Sequence, residues 1–528
     1  MSHIFLYGPP GTGKSTIGEV LARNLNLPFV DLDDVIETNA GMSIAQIMTQ
    51  RGESVFREIE SVALQATVGH ASREASLIGD SVTGLQDKVI ALGGGALLRD
   101  ENRHIAETYG HVILLTASLE TLLGRLKSDA DKRPLLTGDM REKLTSLLDQ
   151  RREHYSSFQR QLNVDGKTTS ESAWEIQNNL GRFHLRAMGE YDVLVERVDQ
   201  IGRLLHERGL QTPIIVTDEN VAHFHADSLI ASLRSAGFSP KLLTIRSGEA
   251  YKTLDTVQRL WHGFLEAGLD RRSTVIALGG GVIGDLAGFA ASTYMRGINW
   301  VCVPTTLLSM VDASLGGKTG FDLPQGKNLI GSFYPPKLVL ADPQLLQTLP
   351  EAEFISGLAE VVKHGVISDP KLFELCGRGL DCIKAELEHV VKRAMAVKIK
   401  VIEEDPYEKG IRAALNLGHT VGHALELVSN FQLRHGEAVA IGMVAEAKLA
   451  ERLSVASKGL SDIIGEVLVN IGLPIHIPEE LPREEIIRTM RVDKKKNAKA
   501  IRFALPAEIG KVELVEISDL EMVLDDSR

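Results

Sequence analysis

A glycine-rich loop that directly follows a short apolar strand constrains the fold more than any other feature of the chain. Residues Gly8 to Ser15 read G-P-P-G-T-G-K-S, with a predicted strand at 4–7 before them and a predicted helix at 17–24 after them. This is the G-x-x-x-x-G-K-[ST] pattern in the strand–loop–helix setting in which it binds phosphate. The sequence therefore predicts an α/β nucleotide-binding domain, with Lys14 at the β- and γ-phosphates and the Ser15 hydroxyl at Mg²⁺.

Length and charge narrow the possible classes of protein. A chain of 528 residues is too long for one core and suggests roughly two to four domains. The net charge is −12, which argues against nucleic acid as the main partner. Cys302, Cys376 and Cys382 form no C-x-x-C pair, as expected in a reducing compartment. We expect a cytoplasmic protein with no signal peptide and no membrane contact, because no apolar run approaches the roughly 20 residues of a membrane span.

Aspartates after the second predicted strand suggest a second ligand beside the nucleotide. The strand Phe29-Val30 ends in Asp31, and Asp33 follows two residues later. Asp31 could hold a metal-bound water and Asp33 could accept a hydrogen bond from a substrate hydroxyl. Aspartates at such a place also cap helices, and both interpretations can hold for different carboxylates.

Further along, three glycines and several arginines extend the predicted site. A buried strand ends in Gly93-Gly94-Gly95, and so many glycines are needed only for a close backbone approach or a positive φ. The charged stretch 126–136, which contains Arg133, indicates a lid. Arg151 and Arg152 lie on a later predicted helix. The polar, serine-rich stretch 69–87 receives no function.

In this order the pieces resemble shikimate kinase over nearly all of residues 1–165. The matching phrases are G-x-x-G-x-G-K-S-T, D-L-D, F-R-x-I-E, G-G-G-A, R-P-L-L and R-x-x-x-Y. The resemblance implies a three-layer α/β/α domain with a parallel sheet that uses ATP and Mg²⁺ to phosphorylate shikimate, with Lys14 and Asp33 as catalytic residues. It implies an ATP site of Gly11, Thr12, Gly13, Lys14, Ser15, Thr16 and Arg133, with Mg²⁺ near Ser15 and Asp31. It implies a shikimate site of Asp33, Arg57, Gly93, Gly94, Gly95 and Arg151, where Arg151 is preferred to Arg152 because Tyr155 lies four residues later.

The chain from 190 to about 350 alternates strand and helix patterns before it turns helical. A second buried strand ends in Gly279-Gly280-Gly281, which fits pyrophosphate at a helix N-terminus. The spacing is not G-x-G-x-x-G, so the glycine-rich turn alone is a weak indication of a dinucleotide site. Asp312, Lys318 and Asn328 then interrupt apolar stretches, a composition that favours a polar, phosphate-bearing ligand over a simple core.

Three histidines within 412–437 indicate metal or substrate chemistry. His419 and His423 are four residues apart and share one face of a predicted helix, and His435 follows a polar turn. Histidine is the commonest metal ligand, so two on one face plus a third form a credible coordination set. The spacing alone makes His419 and His423 the natural pair, and leaves open which of the three bind a metal.

These segments resemble 3-dehydroquinate synthase over almost all of 190–520. The matching phrases are G-G-G-V-I-G-D-L-A-G-F, Y-M-R-G, P-T-T-L-L-S-M-V-D-A-S, G-G-K-T-G, G-K-N-L-I-G-S-F, G-L-A-E-V-V-K and N-L-G-H-T-V-G-H-A-L-E. The resemblance implies a Rossmann-like α/β part, an all-α metal-binding part, NAD⁺, and Zn²⁺ or Co²⁺ on Glu360, His419 and His435. It places NAD⁺ on Asp218, Glu249, Lys252, Gly280, Gly281, Asp285, Thr305, Thr306, Lys318 and Lys327. It places a heptulosonate phosphate on Asp312, Asn328, Lys398, Arg412, Asn416 and His423, with Arg296, Lys318, Lys363 and His423 as catalytic residues and Lys494 or Lys495 closing over it.

Together the two resemblances predict a bifunctional enzyme. Its expected parts are a P-loop domain at 1–175, a linker at 176–189, an NAD-binding α/β part at 190–350 and a mainly helical metal- and substrate-binding part at 351–528, with a homodimer formed through the second enzyme. Three alternatives remain: a nucleotide-binding regulatory module in place of the kinase, another sugar-phosphate cyclase of secondary metabolism, or a metal-dependent polyol dehydrogenase.

Overall fold

A computed structural model describes residues 2–69, 87–128, 140–408, 410–493 and 500–524. The chain forms two compact units, Met1–Phe183 and His184–Arg528. Arg133, Lys494 and Lys495, and most of the stretch 69–87, lie outside the described residues. Among the helices within the described ranges, none is long and apolar enough to cross a membrane.

The first unit is built on a five-stranded sheet in which every neighbouring pair is parallel. Its order is β2-β3-β1-β4-β5, from β1 (His3–Tyr7), β2 (Phe29–Asp31), β3 (Val89–Ala91), β4 (Gly110–Thr116) and β5 (Gln161–Asn163). All five residues of β1 are buried, as expected for a central strand covered on both faces. The parallel strands bring the loops after β1, β2 and β3 to one edge.

Helices connect these strands, and local sequence explains where two of them begin. They are α1 (Lys14–Asn24), α2 (Leu32–Ala40), α3 (Ile44–Arg51), α4 (Glu53–Thr67), α5 (Asp100–Tyr109), α6 (Leu119–Ser128), α7 (Met140–Gln150), α8 (Arg152–Ser156) and α9 (Thr169–Leu180). Capping boxes formed by Ser43 with Gln46 and by Thr168 with Glu171 start α3 and α9. The predicted α/β kinase-type fold is confirmed.

The second unit contains a seven-stranded sheet of order β6-β7-β14-β11-β10-β8-β9. Its strands are β6 (Arg182–Leu185), β7 (Tyr191–Val195), β8 (Gln211–Asp218), β9 (Lys241–Ile245), β10 (Ser273–Gly279), β11 (Asn299–Pro304) and β14 (Leu338–Ala341). The pairs from β7 to β9 in this order are parallel. All residues of β10 are buried, so this glycine-terminated strand lies in the interior of the sheet.

Most of the interval 176–189, which we predicted as a linker, is regular structure, while 186–189 forms a turn. Helix α9 continues to Leu180, and Arg182–Leu185 forms β6 of the seven-stranded sheet. Phe183 and Leu185 are buried and alternate with half-buried Arg182 and His184. This two-residue period is the sign of a strand, and it was too short to be recognised beside the polar residues that follow.

The helices of the second unit fall into two groups. Those that flank the sheet are α10 (Ile201–Glu207), α11 (Glu219–Val221), α12 (Asp227–Ser235), α13 (Leu254–Glu266) and α14 (Gly281–Thr293). The later group is α15 (Glu351–Ser368), α16 (Pro370–Gly377), α17 (Leu380–Ala385), α18 (Leu387–Glu404), α19 (His419–Val428), α20 (His435–Arg452), α21 (Leu460–Asn470), α22 (Arg483–Asp493) and α23 (Glu521–Leu524).

Two antiparallel hairpins complete the second unit. One joins β12 (Lys318–Leu323) to β13 (Gly326–Phe333), and the other joins β15 (Ile501–Glu508) to β16 (Lys511–Ile517). The part after 350 is mainly helical, as predicted, but the hairpin of β15 and β16 corrects the expectation that it is all helix. Ile501, Phe503 and Leu505 are buried on that hairpin, and their alternation explains the strand.

Candidate active sites

The phosphate loop of the first unit takes the conformation that its glycines predict. Gly11 and Gly13 have φ of 84° and 87°, a region that residues with a side chain rarely adopt. Gly13 is the residue before α1, so the backbone turns into a helix N-terminus. The buried Thr12 donates its hydroxyl hydrogen to the carbonyl of Pro9 at 2.8 Å and closes the loop on itself.

Two cations lie on this loop. The Lys14 ammonium donates to the carbonyl oxygens of Gly8 and Pro9 at 2.9 and 3.1 Å. The guanidinium of Arg125 on α6 donates to two further loop carbonyls at 3.4 and 3.3 Å. The sequence did not predict this contact of Arg125, because more than a hundred residues separate it from the loop. Thr16 is exposed in the first turn of α1.

The residues proposed for Mg²⁺ contact one another. The Ser15 hydroxyl donates to Asp31 Oδ2 at 2.6 Å, while Asp31 Oδ1 accepts from the backbone N–H of Asp33 at 3.0 Å. Asp31 is therefore both the cap of α2 and the partner of the loop serine. Oδ1 of Asp31 caps the helix and Oδ2 contacts Ser15, so both interpretations of this aspartate are compatible.

The glycine triplet after β3 gives the proposed shikimate side chains room to approach. A Cβ atom on Gly93 would lie 2.9 Å from Glu60 Oε1 and 3.1 Å from Asp33 Oδ1. A Cβ atom on Gly95 would lie 2.6 Å from a guanidinium nitrogen of Arg57. Arg57 pairs with the buried Glu60 at 2.8 Å. Burial raises the pKa of Glu60, and the Arg57 guanidinium opposes that rise.

The structure distinguishes between the adjacent residues Arg151 and Arg152. Arg151 donates to the carbonyl of Gly94 at 2.5 Å, and the Tyr155 hydroxyl donates to the same oxygen at 3.3 Å. Arg152 pairs with Asp149, and both of those side chains are exposed. Arg151 is therefore the arginine that lies against the glycine triplet.

In the second unit, Glu360, His419 and His435 converge from three helices. Glu360 lies in the middle of α15, and the two histidines are the first residues of α19 and α20. Nε2 of His419 and Nε2 of His435 lie 3.5 and 3.2 Å from Glu360 Oε1. One ligand atom from each of the three residues lies within 4.8 Å of the others. We call these three residues the donor cluster.

The remaining ring nitrogens define the protonation of the two histidines. Nδ1 of His419 lies 3.1 Å from the carbonyl of Leu417; because a carbonyl only accepts, Nδ1 carries the hydrogen and Nε2 presents a lone pair. Burial and then Lys363 hold the pKa of His419 well below its usual range, so the ring is neutral. His435 differs: burial opposes its protonation, but two carboxylates, Glu360 and Glu426, raise its pKa to about 10.

Buried lysines neutralise the carboxylates around the donor cluster. Lys363, one helical turn after Glu360, forms an ion pair with it, and both side chains are buried. Burial raises the pKa of Glu360, but Lys363 and the two histidines outweigh burial and keep it well below its usual range. Lys398 on α18 pairs with Asp312 at 2.5 Å. Burial also raises the pKa of Asp312, and Lys398 lowers it to about 2.

His423 lies beside the donor cluster, next to a carboxylate that sequence reasoning missed. Its ring centre is 5.2 Å from that of His419 and 6.3 Å from that of His435. Together with Glu426 and His435 it forms a second group with metal-ligand geometry. Glu426 Oε2 lies 3.5 Å from Nδ1 of His435. Glu426 stands inside the matching N-L-G-H-T-V-G-H-A-L-E phrase, which was the available signal.

The cations proposed for the heptulosonate phosphate are held by a loop carboxylate. Glu408 lies 2.5 Å from the Lys318 ammonium and 3.4 Å from Nε of Arg412. Arg412 is buried and also donates to the carbonyl of Pro406 at 2.5 Å. Asn416 is exposed. Glu408 therefore joins two of the proposed substrate cations, which the sequence did not predict.

The residues proposed for NAD⁺ gather at the carboxyl edge of the seven-stranded sheet. Leu278 of β10 is in register with Thr217 of β8, and Gly279 with Pro304 of β11. Asp218, the last residue of β8, therefore meets Gly280 and Thr305, which directly follow β10 and β11, at one edge, where open α/β sheets bind ligands. Gly281 begins α14, and Thr306 Oγ1 accepts from the N–H of Ser309 at 3.1 Å.

Four further residues of the proposed NAD⁺ set form two ion pairs there. The buried Lys252 pairs with Asp285 at 2.6 Å and donates to Oδ1 of Asn328 at 2.6 Å. Glu249 lies 3.6 Å from Lys327. Asn328, which we assigned to the heptulosonate phosphate, thus lies with an NAD⁺ residue. Arg296 is exposed and has a φ of 68°, and the structure does not bring it to the donor cluster through any contact that we observe among the described residues.

Comparison with known families agrees with this geometry. Residues 10–180 match the shikimate kinase family model, and residues 242–356 and 357–496 match the 3-dehydroquinate synthase N-terminal and C-terminal models. The 3-dehydroquinate synthase of Crocosphaera subtropica is 43% identical over 336 residues, 62% of this chain and 92% of that protein. The 3-dehydroquinate synthase of Synechococcus sp. is 46% identical over 310 residues, 57% of this chain and 84% of that protein.

Solved structures of related cyclases share the fold of the second unit. A 2-deoxy-scyllo-inosose synthase, solved with carbaglucose-6-phosphate, NAD⁺ and Co²⁺, is 28% identical with a TM-score of 0.60, covering 65% of this chain and 98% of its own. A 2-epi-5-epi-valiolone synthase from Streptomyces hygroscopicus, solved with NAD⁺ and Zn²⁺, is 28% identical with a TM-score of 0.57, covering 63% of this chain and 95% of its own.

The fold and the two sites define a class: a phosphoryl-transferring P-loop domain fused to a sugar-phosphate cyclase. The chain belongs to the 3-dehydroquinate synthase family and carries a shikimate kinase domain in the same polypeptide. It is therefore a bifunctional enzyme of the shikimate pathway. The relatives favour this function over a regulatory nucleotide module, another cyclase or a polyol dehydrogenase.

Proposed function

We propose that the first unit transfers the γ-phosphoryl group of ATP to shikimate through the residues described above. The phosphate loop and Lys14 would hold the ATP phosphates, and Ser15 with Asp31 would hold Mg²⁺. Asp33 would accept from the attacking hydroxyl, and Arg57 and Arg151 would pair with the shikimate carboxylate, to which a planar guanidinium is suited. Arg133, outside the described residues, stays a prediction for the lid.

We propose that the second unit converts 3-deoxy-D-arabino-heptulosonate 7-phosphate to 3-dehydroquinate and phosphate. The observation that carries this proposal is the donor cluster of Glu360, His419 and His435. One carboxylate and two imidazoles are a donor set that binds zinc in catalytic sites. His419 offers a lone pair on the nitrogen that faces the other donors. The residues therefore fit Zn²⁺ or Co²⁺.

When bound, NAD⁺ and the metal supply reversible hydride transfer and polarisation of the reacting alcohol and ketone. The chain's own cations have a separate task, since the substrate carries a carboxylate and a phosphate. Arg412 and Lys398, with Asn416, would bind the carboxylate. This set favours the acid substrate over sugar phosphates that have no carboxylate, which other cyclases use. Lys318, Lys363 and Arg296 would neutralise the departing phosphate, and His423 would act beside the substrate.

Phosphate release from the heptulosonate phosphate tests the cyclase proposal. The full chain is incubated with NAD⁺, with and without a chelator, and then with zinc added back. We expect phosphate release that the chelator abolishes and zinc restores, with no net NADH, because the hydride returns to the intermediate. Net accumulation of NADH would indicate a dehydrogenase, and release from glucose 6-phosphate in place of the acid would indicate another cyclase.

Formation of ADP tests the kinase proposal. ADP release from ATP and Mg²⁺ should depend on added shikimate. Hydrolysis of ATP at the same rate without shikimate would contradict a shikimate kinase and favour a nucleotide-binding module.

We also infer a cytoplasmic homodimer that forms through the second unit. The support for a dimer is an exposed apolar strand: Leu329, Ile330 and Phe333 of β13 are 59%, 41% and 59% exposed. Large exposed apolar side chains close together mark interaction surfaces. Sedimentation of the full chain at micromolar concentration tests this inference, and a monomer at that concentration would contradict it.

A further inference from the structure

A buried carboxylate in the middle of α20 contacts the turn that precedes α19. The side chain of Glu446 is fully buried, and its Oε2 accepts the backbone N–H of Gly418 at 2.6 Å. The buried carboxylate oxygen and the backbone N–H satisfy each other here, and leaving either of them without a partner in the interior is costly. Neither resemblance assigned Glu446 a role.

The turn at Gly418 fits tightly against α20. Gly418 has a φ of 78°, and a Cβ atom there would lie 2.6 Å from the carbonyl oxygen of Val439. On the facing helix, a Cβ atom on Gly442 would lie 2.0 Å from the carbonyl oxygen of Gly418. The two backbones are therefore in direct contact, and Glu446, one helical turn after Gly442, holds the turn from the same face of α20.

The residue that follows this turn is His419. Its ring is fixed at Nδ1 by the carbonyl of Leu417 at 3.1 Å and faces Glu360 with Nε2 at 3.5 Å. Residues 417 and 418 thus decide where the ring lies and which of its nitrogens points into the donor cluster. A shift of this turn moves the imidazole relative to Glu360 without changing any donor atom.

We propose that Glu446 is a positioning residue: by binding the Gly418 N–H, it holds His419 in the place where its Nε2 joins Glu360 and His435. This inference rests on the proposed metal at the donor cluster. Groups that orient metal ligands contribute about 10- to 100-fold to metal affinity. Such groups usually hydrogen-bond the side chain of the metal ligand itself. Glu446 instead acts on His419 through the backbone of Gly418.

The same helix offers a matched control. Glu451 also lies on α20, and its Oε1 accepts the backbone N–H of Ser461 at 2.7 Å at the start of α21. It is the same kind of contact, a carboxylate on a helix N-terminus, but no donor-cluster residue follows it. Loss of Glu451 should therefore reduce stability without changing metal binding.

The test measures metal binding directly on the full chain. Zinc affinity is determined by competition with a chromophoric chelator, and the visible spectrum of the Co²⁺ form reports coordination geometry. The variants are Glu446→Leu, which removes the acceptor, Glu446→Gln, which keeps one, and Glu451→Leu. Glu446→Asp, whose shorter side chain withdraws the carboxylate, carries the test if the leucine variant does not fold.

We expect Glu446→Leu to weaken zinc binding about 10- to 100-fold and to alter the Co²⁺ spectrum, while Glu446→Gln largely restores both and Glu451→Leu leaves both unchanged. The inference is overturned if Glu446→Leu, or Glu446→Asp in its place, binds zinc within about twofold of the wild type, or if Glu451→Leu loses as much affinity. Absence of zinc binding by the wild type would instead overturn the proposed metal site itself, and the inference with it.

Discussion

The phosphate loop of the kinase unit and the donor cluster of the cyclase unit both hold charged groups for a ligand, but with different partners. Lys14 rests on two carbonyls of its own loop, within six residues of the chain. Glu360 is neutralised by Lys363 on its own helix and faces two imidazoles that lie far along the chain. Glu360 and Lys363 are fully buried, and the two histidines are partly buried. A site made of backbone is determined locally, whereas a site made of buried side chains depends on how the helices pack.

The largest effect should come from Glu360→Gln, which separates the two activities. Removing the only carboxylate of the donor cluster should reduce cyclase turnover on the order of 1,000-fold or more, while shikimate-dependent ADP formation stays unchanged. Assay of both reactions on one preparation checks this. A parallel loss of kinase activity would mean that the units depend on each other, contrary to the comparison.

The reciprocal variant, Lys14→Met, should act only on the kinase. Loss of one preorganised cation at the transferred phosphoryl group should cost on the order of 100- to 1,000-fold in turnover. Because the Lys14 ammonium donates to two backbone carbonyls of its own loop, the melting temperature should change little. Phosphate release from the heptulosonate phosphate is the internal control, and a loss there would contradict independent sites.

Acid should weaken the cyclase unit through His364, a fully buried residue beside the donor cluster. Burial, and then Lys363, lower its pKa from 6.5 to about 3. Between these pH values the unfolded chain binds a proton that the folded chain does not, so stability is full above pH 6.5 and falls as pH falls. From pH 7 to pH 5 this group should remove on the order of 2 kcal/mol from the free energy of unfolding.

Denaturant unfolding of metal-free protein at both pH values measures that loss. His364→Leu should lose less unfolding free energy than the wild type between these two pH values. The same substitution at the exposed His223 should lose as much as the wild type. Equal losses in wild type and His364→Leu would show that other groups carry the acid sensitivity.

The smallest effect concerns Glu408, whose carboxylate pairs with Lys318 and Arg412 as a substrate anion would. Glu408→Gln should lower KM for the heptulosonate phosphate about two- to fivefold, since half-exposed ion pairs contribute up to about 1 kcal/mol. The gain should shrink as salt is added, with kcat nearly unchanged. A higher KM would mean that Glu408 itself contacts the substrate, and steady-state kinetics at two salt concentrations decides.

The predictions that succeeded and those that failed differ in the same way as the two sites. The phosphate loop, the capping by Asp31 and the glycine-terminated strands follow from neighbours in sequence. Glu426, Glu446 and the contact of Arg125 with the loop arise between segments that only packing brings together. Spacing alone favoured His419 with His423 and left His435 as a third candidate, and only the family resemblance named Glu360 and chose His419 with His435. The strand at 182–185 is too short to be predicted from its own alternation, and its pairing in the seven-stranded sheet arises only in the fold.

The Lys363–Glu360 pair affects how stable the protein is when zinc is scarce. A buried carboxylate without a counter-charge would destabilise the fold severely, so a protein that relied on a metal for that charge would unfold whenever the metal left. Here the ammonium group of Lys363, one helical turn after Glu360, already supplies that counter-charge. We therefore expect the metal-free chain to stay folded but inactive as a cyclase, and to regain that activity when zinc binds again, without new synthesis.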